Sequence, residues 1–506
     1  MSGADLPSSL TGADRASAPP VDEPAAAGDG GPEGSFLARL AARFTAWAER
    51  WIPDAFVFAL VATFIVVGAA VFKLQAQKGV GGALVDTVTI WGGGFWELLP
   101  FTLQMALVII TGYVVATTRP VYRVIAGLAS LPTSPRVAIA MVALFAMASS
   151  WLNWGFSLIF SAMLAKEVAR RVKGVDYRAV AASAFLGLGS IWAQGLSGSA
   201  ALQMATPAAL QPSVRQIVAA GDKVPNGVIP LSKTIFLWQS VTSVVIEILI
   251  VTALVYAYAP SAARARTAAR MKIDLGTSPL EREEPARKGT PGEWLEHVPI
   301  LNVLFVLLAG GYLVAYFTRS GKGVDALDLN TVNLIFLTIG VAFHGTPARL
   351  MRAVKEATPG VWGVILQFPF YAGIAALVVK THLNEVIAGW FVSVSTKASL
   401  PAVVAIYSAV LGVFVPSGGS KWVIEAPYVM QAAHDLNVHL GWMVAVYDLG
   451  EALANLLQPF WMLPILGLFG LRARDVMGYT FLVFLVLAPV VLVLVTVLGA
   501  TLSYPL

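Results

Sequence analysis

Residues 149–157, SSWLNWGFS, break an apolar run extending from about 136 to 166, and residues 415–422, VPSGGSKW, break a second run from about 402 to 432. Such a run either crosses a bilayer once or enters it and turns back, and the flanking charges decide which. Arg119, Arg123 and Arg136 precede the first run or open it; Lys166, Arg170, Arg171, Lys173 and Arg178, the densest basic cluster of the chain, follow it or close it. A single crossing would strand one cluster outside. A re-entrant hairpin keeps both on the cytoplasmic side, as the positive-inside rule prefers. With the N-terminus inside, the basic loop 260–292, the group Arg349, Arg352 and Lys355, and the pair Arg472 and Arg474 also fall inside. The second broken run then starts and ends outside.

Composition agrees with a chain that lives in a bilayer. Of 506 residues, 57% are hydrophobic and only 12% charged, about half the ~25% usual for globular proteins, and the mean hydropathy is +0.74. With no cysteine, disulfides, Cys-ligated zinc, iron–sulfur clusters and thiol catalysis are excluded. The five histidines form no HExxH pattern, and no GxxxxGK[ST] loop is present to bind a nucleotide. A net charge of +5 is explained by cytoplasmic loops rather than by nucleic acid. No cofactor is expected.

The expected fold is an all-α polytopic membrane protein. Spans are expected at about 54–75, 100–117, 179–203, 232–259, 298–318, 329–345, 361–380, 440–463 and 475–500, nine in all, together with the hairpins 136–166 and 402–432. Residues 1–35, poor in large apolar side chains, read as a disordered tail without the pattern of a signal peptide. The stretch 35–53 reads as an amphipathic surface helix. The layout divides into a first repeat at 36–259, a cytoplasmic loop at 260–297, a linking span at 298–328 and a second repeat of opposite orientation at 329–506. The N-terminus is placed in the cytoplasm and the C-terminus in the periplasm. Asn153 and Ser417 are 264 residues apart, and Gln194 and Asn455 are 261 apart, so the halves match in spacing.

In each half the span after the hairpin is itself interrupted, by QGLSGSA at 194–200 and by GEALANLLQP at 450–459. Paired interrupted helices in inverted halves point to a transporter binding site, because unwound backbone at membrane depth survives only around a cavity. The candidate binding residues are Asn153, Gly155 and Ser157 at the first tip, and Ser197, Gly198 and Ser199 at the first break. Ser417, Gly418, Gly419 and Ser420 form the second tip, with Asn455 and Gln458 at the second break. Freed N–H groups there favour a carboxylate and freed carbonyls a cation such as Na+. The competing reading is that these small residues only allow close helix packing. Glu247, Lys421, Glu425, Asp448 and Glu451 fall within apolar segments, where charges are costly and suggest function. Lys421 and Glu425, four apart, are expected to pair. Asp448 and Glu451, before a helix break, are the candidates for ion coupling, and Glu167 reads as a solvated helix end.

The stretches LNWGFSLIFSAMLAKEVARR, GLSGSAAL, VPSGGSKWVIEAP and NLLQPFWMLPILGLFGLRARDVMGY resemble those of bacterial short-chain fatty acid transporters of the acetoacetate/butyrate type, from about residue 36 to the end. The resemblance implies an ion-transporter superfamily fold, with nine spans, two opposed hairpins, a dimeric scaffold and a mobile transport domain. It implies secondary transport of small monocarboxylates across the inner membrane by an elevator movement, coupled to H+ or Na+. Family helices near position 451 begin with Gly-Asp where this chain has Gly450-Glu451. Rival expectations are a carrier of a larger organic anion and an intramembrane enzyme using Asp448 and Glu451.

Overall fold

The computed structural model describes residues 50, 55–222, 224, 226–260, 265–275, 289–321, 323–414, 418–458 and 460–506. The expected tail, nearly all of the expected surface helix, Ser417 and Pro459 lie outside the described residues. Among those described, every regular element is a helix. The first half runs α1 (Ala55–Gly94), α2 (Leu99–Ala116), α3 (Arg119–Leu128), α4 (Pro135–Leu152), α5 (Trp154–Arg171), α6 (Tyr177–Leu186), α7 (Ser199–Ala205) and α8 (Trp238–Tyr258). It is followed by α9 (Ile300–Ser320), α10 (Leu329–His344), α11 (Pro347–Ala357), α12 (Trp362–Lys380), α13 (Leu383–Val394), α14 (Leu400–Phe414), α15 (Gly418–Asp435), α16 (Leu440–Asn455), α17 (Leu463–Phe469) and α18 (Ala473–Gly499).

Eight of the described helices are long and apolar enough to cross a bilayer, against nine expected spans. Two expected spans are shorter, since α10 and α16 have 16 residues each, while the first hairpin arm, α4, has 18 and qualifies by itself. The first span ends close to where it was expected. Polar Lys73, Gln75, Gln77 and Lys78 close the helix begun at Ala55; Gly79, with φ of 69° and ψ of 167°, is not helical and joins it to a second helix that runs to Gly94, so α1 is two helices in series. Only glycine reaches that backbone without strain. The surfaces of α1 and α9 carry exposed Phe64, Ile65, Phe72, Leu307 and Leu308, as a bilayer-facing surface should.

The first hairpin turns on a single residue. Asn153 ends α4 and caps α5 with extended backbone; its N–H donates to Ser149 O, and its Oδ1 accepts from Phe156 N–H at 2.8 Å. Asparagine serves because its side-chain oxygen satisfies an orphan helix N–H. Arm α5 packs on α2 and α4, while α4 packs on α6 and α8. In the second half, α15 packs on α12 and α13, and α14 on α16 and α18.

Close packing is set by glycine. A Cβ on Gly187 would stand 2.3 Å from Ala146 O of α4, and one on Gly450 would stand 2.4 Å from Ala405 O of α14. Each hairpin's first arm thus lies against the backbone of the interrupted helix that follows it. Without a hydrophobic drive between helices in lipid, such backbone approach supplies the packing attraction. Glu167 corrects an expectation. It is buried, not solvated, accepting from Tyr122 Oη at 2.9 Å and pairing with Arg170 and Arg171 at 2.8 Å each.

Candidate functional site

The helix begun by α6 loses its regular form at depth. It widens to a π-turn over Gly187–Ile191, tightens to a 3₁₀ turn over Trp192–Gln194, then opens at Gly195 until α7 starts at Ser199. Backbone groups freed inside a membrane need partners, and the first hairpin supplies them. Leu196 N–H donates to Trp151 O at 2.7 Å, and Trp154 N–H donates to Ser197 Oγ at 2.9 Å. Glycine is required here: a Cβ on Gly195 would stand 2.2 Å from Trp151 O, and one on Gly198 would stand 2.0 Å from Ala193 O.

The second half joins the same assembly. Gly418, opening α15, lies so close to Trp192 that a Cβ would stand 2.3 Å from its ring, and its carbonyl accepts from Tyr447 Oη at 2.5 Å. Gly419 approaches Ser199 and Phe101. Trp154 packs edge-on against Trp192 and against Trp461 of the second break, with ring centroids 6.3 and 5.6 Å apart. Asn455 Nδ2 donates to Leu188 O at 3.0 Å, and Gln458 Nε2 donates to Asn455 Oδ1 at 2.6 Å. Both tips and both breaks therefore meet around three tryptophans. Three buried donors there, Asn153 Nδ2, Trp154 Nε1 and Trp192 Nε1, have no protein partner among the described residues. A buried donor left unmade costs ~1–3 kcal/mol, which an acceptor-rich ligand would recover.

Beside this assembly lies a buried charge cluster. Lys421 Nζ is 2.5 Å from Glu451 Oε2 and 3.3 Å from Glu425 Oε1, donates to Ser408 O at 2.6 Å, and stands 4.6 Å from the centre of the Tyr447 ring. Ser408 Oγ donates to Glu425 Oε2 at 2.6 Å. Asp448, one turn before Glu451, keeps Oδ2 buried with no hydrogen-bond partner among the described residues. Gly412 admits the Glu451 carboxylate, which a Cβ there would meet at 2.7 Å. The expected pair of Lys421 with Glu425 is present, and the same ammonium also serves Glu451.

The residues chosen from sequence divide by role. Asn153, Ser197, Gly198, Ser199, Gly418, Gly419, Asn455 and Gln458 sit in the assembly. Ser157 is turned into its own hairpin, donating to Ala146 O at 2.7 Å and accepting from Ser149 Oγ at 3.0 Å. Gly155 serves close approach to Val108 and Ile109 of α2. Ser420 lies in the first turn of α15. Sequence reasoning missed Trp154, Trp192 and Trp461, although WGFS places an aromatic at the first tip and SIWAQ and PFWM place one beside each break. It also left Glu247 without neighbours, whereas Gln194 Nε2 donates to Glu247 Oε2 at 3.0 Å beside the first break.

Residues 36–498 match the family described as "Short chain fatty acid transporter". Two relatives provisionally named short-chain fatty acid transporters, from Haemophilus influenzae and Escherichia coli, are 33% and 34% identical over 460 and 445 residues, covering 90% and 88% of this chain and 99% and 96% of theirs. Two solved structures share the fold. The YdaH transporter of Alcanivorax borkumensis has 16% identity and a TM-score of 0.54, covering 89% of this chain and 98% of that one. MtrF of Neisseria gonorrhoeae, described as illuminating a class of antimetabolite efflux pumps, has 14% identity and a TM-score of 0.53, covering 92% and 97%. A chain of apolar spans whose two hairpin tips meet two interrupted helices thus has its kin among transporters, and it belongs to the short-chain fatty acid transporter family.

Proposed function

We propose that the chain carries small monocarboxylates such as butyrate or acetoacetate across the bacterial inner membrane by ion-coupled secondary transport. The observation that supports this best is the enclosure of broken backbone with three buried N–H donors that have no partner among the described residues, beside tryptophan faces. A carboxylate offers acceptors to such donors, and a short alkyl tail fits an aromatic wall. We read the chain as two inverted repeats, 36–259 and 329–506. Their support is the near-constant offset between α2 and α12, α4 and α14, and α6 and α16, together with the paired glycine contacts at Gly187 and Gly450. On this reading the hairpins and interrupted helices move as one elevator body against the remaining helices, in a homodimer with its N-terminus inside and its C-terminus in the periplasm.

Coupling is assigned to the charge cluster. Lys421 faces Glu425 and Glu451, and Asp448 lies buried one turn before Glu451, so three buried acids gather around one ammonium that pairs with two of them. Unbalanced charge at membrane depth is costly, and H+ or Na+ would complete the balance. The test is counterflow of labelled butyrate into proteoliposomes holding only the purified protein, against C2–C6 acids, with and without Na+ and a pH gradient. Exchange competed by C2–C6 acids is expected. Exchange only with larger conjugates would favour a larger organic anion, in line with the efflux-pump description of the MtrF neighbour. Chemical conversion of the solute without vectorial movement would favour an enzyme. Asp448→Asn or Glu451→Gln should keep exchange but lose gradient-driven accumulation; accumulation unchanged in both would remove the assignment.

A further inference from the structure

We infer a second anion site, built for the phosphate of an anionic phospholipid, in a cavity of about 290 Å³ well away from the tryptophan assembly. Its cationic lining is Arg119, Lys166, Arg170, Arg349 and Arg352, with Glu356 as the one acid among its lining residues. Against these five bases stand Glu356, Glu167, which holds Arg170, and Asp274, which acts on Lys166. The cavity therefore keeps a positive field, and arginine forks match phosphate oxygens.

Position decides between a lipid and a soluble anion. The walls come from the C-terminal end of α2, the far end of hairpin arm α5, and α10 with α11, at the end of the bundle that bears the basic loops. Helix α11 is amphipathic, with Arg349, Arg352 and Glu356 at helical spacing turned to the cavity. The rim includes Phe343 and Leu468, large apolar side chains 47% and 45% exposed. A free phosphate has no use for an apolar rim, but a phospholipid lays its acyl chain on one. Basic pockets between membrane helices on the cytoplasmic side take anionic headgroups in this way.

The test uses the full chain in detergent. Native mass spectrometry and thermal melting are run with phosphatidylglycerol or phosphatidylcholine, on wild type, Arg349→Gln/Arg352→Gln and Lys166→Gln. Wild type should retain phosphatidylglycerol adducts and gain melting temperature from that lipid alone. Each variant should lose retention by roughly tenfold or more, the scale of a lost charge-assisted contact, while melting like wild type in phosphatidylcholine. Equal response of wild type to the two lipids overturns the proposal whatever the variants do. So does equal retention by folded variants, or equal stabilisation of wild type by millimolar inorganic phosphate or butyrate, which would make this a soluble-anion site.

Discussion

Asn153 does two jobs with two different atoms, and they can be separated. Its Oδ1 caps α5 at Phe156 N–H, while its Nδ2 is buried with no protein partner among the described residues. Serine caps a helix about as well as asparagine but lacks the amide donor; alanine lacks both. Asn153→Ser should therefore fold like wild type and lose one charge-assisted hydrogen bond to the carboxylate. That bond is worth about 1.5–3 kcal/mol, or roughly 10–150-fold in apparent affinity. Asn153→Ala should show the same affinity loss and, in addition, about 1 kcal/mol of lost capping. Counterflow of labelled butyrate over a concentration series gives KM, and thermal melting of the purified protein gives the capping loss. Asn153→Ser with a wild-type KM would refute the donor role. Asn153→Ala as stable as Asn153→Ser would refute the capping role.

Lys421→Met should destabilise strongly, on the scale of about 3–5 kcal/mol for breaking a buried ion pair, and adding Glu451→Gln should recover much of the melting temperature; a double variant no better than the single one would mean the 2.5 Å contact carries little. Gly187→Ala and Gly450→Ala should sharply reduce folded protein, because each Cβ would meet a backbone oxygen at 2.3 or 2.4 Å, whereas Gly310→Ala, with open space around it, should fold normally by size-exclusion profile. The chain has no cysteine, so single cysteines report topology directly: one at Lys173 should react with an impermeant thiol reagent only from the cytoplasm and one at Lys397 only from outside. External labelling at Lys173 would undo the inverted arrangement.

The parts legible in the sequence were those written in local spacing. The basic clusters on either side of 136–166 demanded a hairpin, and α4 and α5 form one with Asn153 at its tip. Glycine and serine at 195–199 marked the first break, and the backbone opens there. What could not be read were contacts between distant elements. Gln194 meets Glu247 across 53 positions, and Lys421 reaches Glu451 from another helix. Spacing also could not say which way a hydroxyl turns: Ser197 holds Trp154 N–H, while Ser157 serves its own hairpin. The polar run near 75 was legible too, since the helix begun at Ala55 breaks at Gly79 and a second helix starts beyond it.

The one-residue turn at Asn153 also has a mechanical consequence. A loop of several residues could hinge and peel away like a flap; a single capped residue has no slack to unzip. Two short hydrogen bonds rivet it to the opened backbone at Leu196 and Ser197. Lifting this tip would expose both severed bonds to hydrocarbon, several kcal/mol each in a medium with no water to replace them. On our reading, entry to the tryptophan assembly from this side does not come from a local door. In the elevator movement proposed above, the rivet would travel with its plate while the wall slides past it.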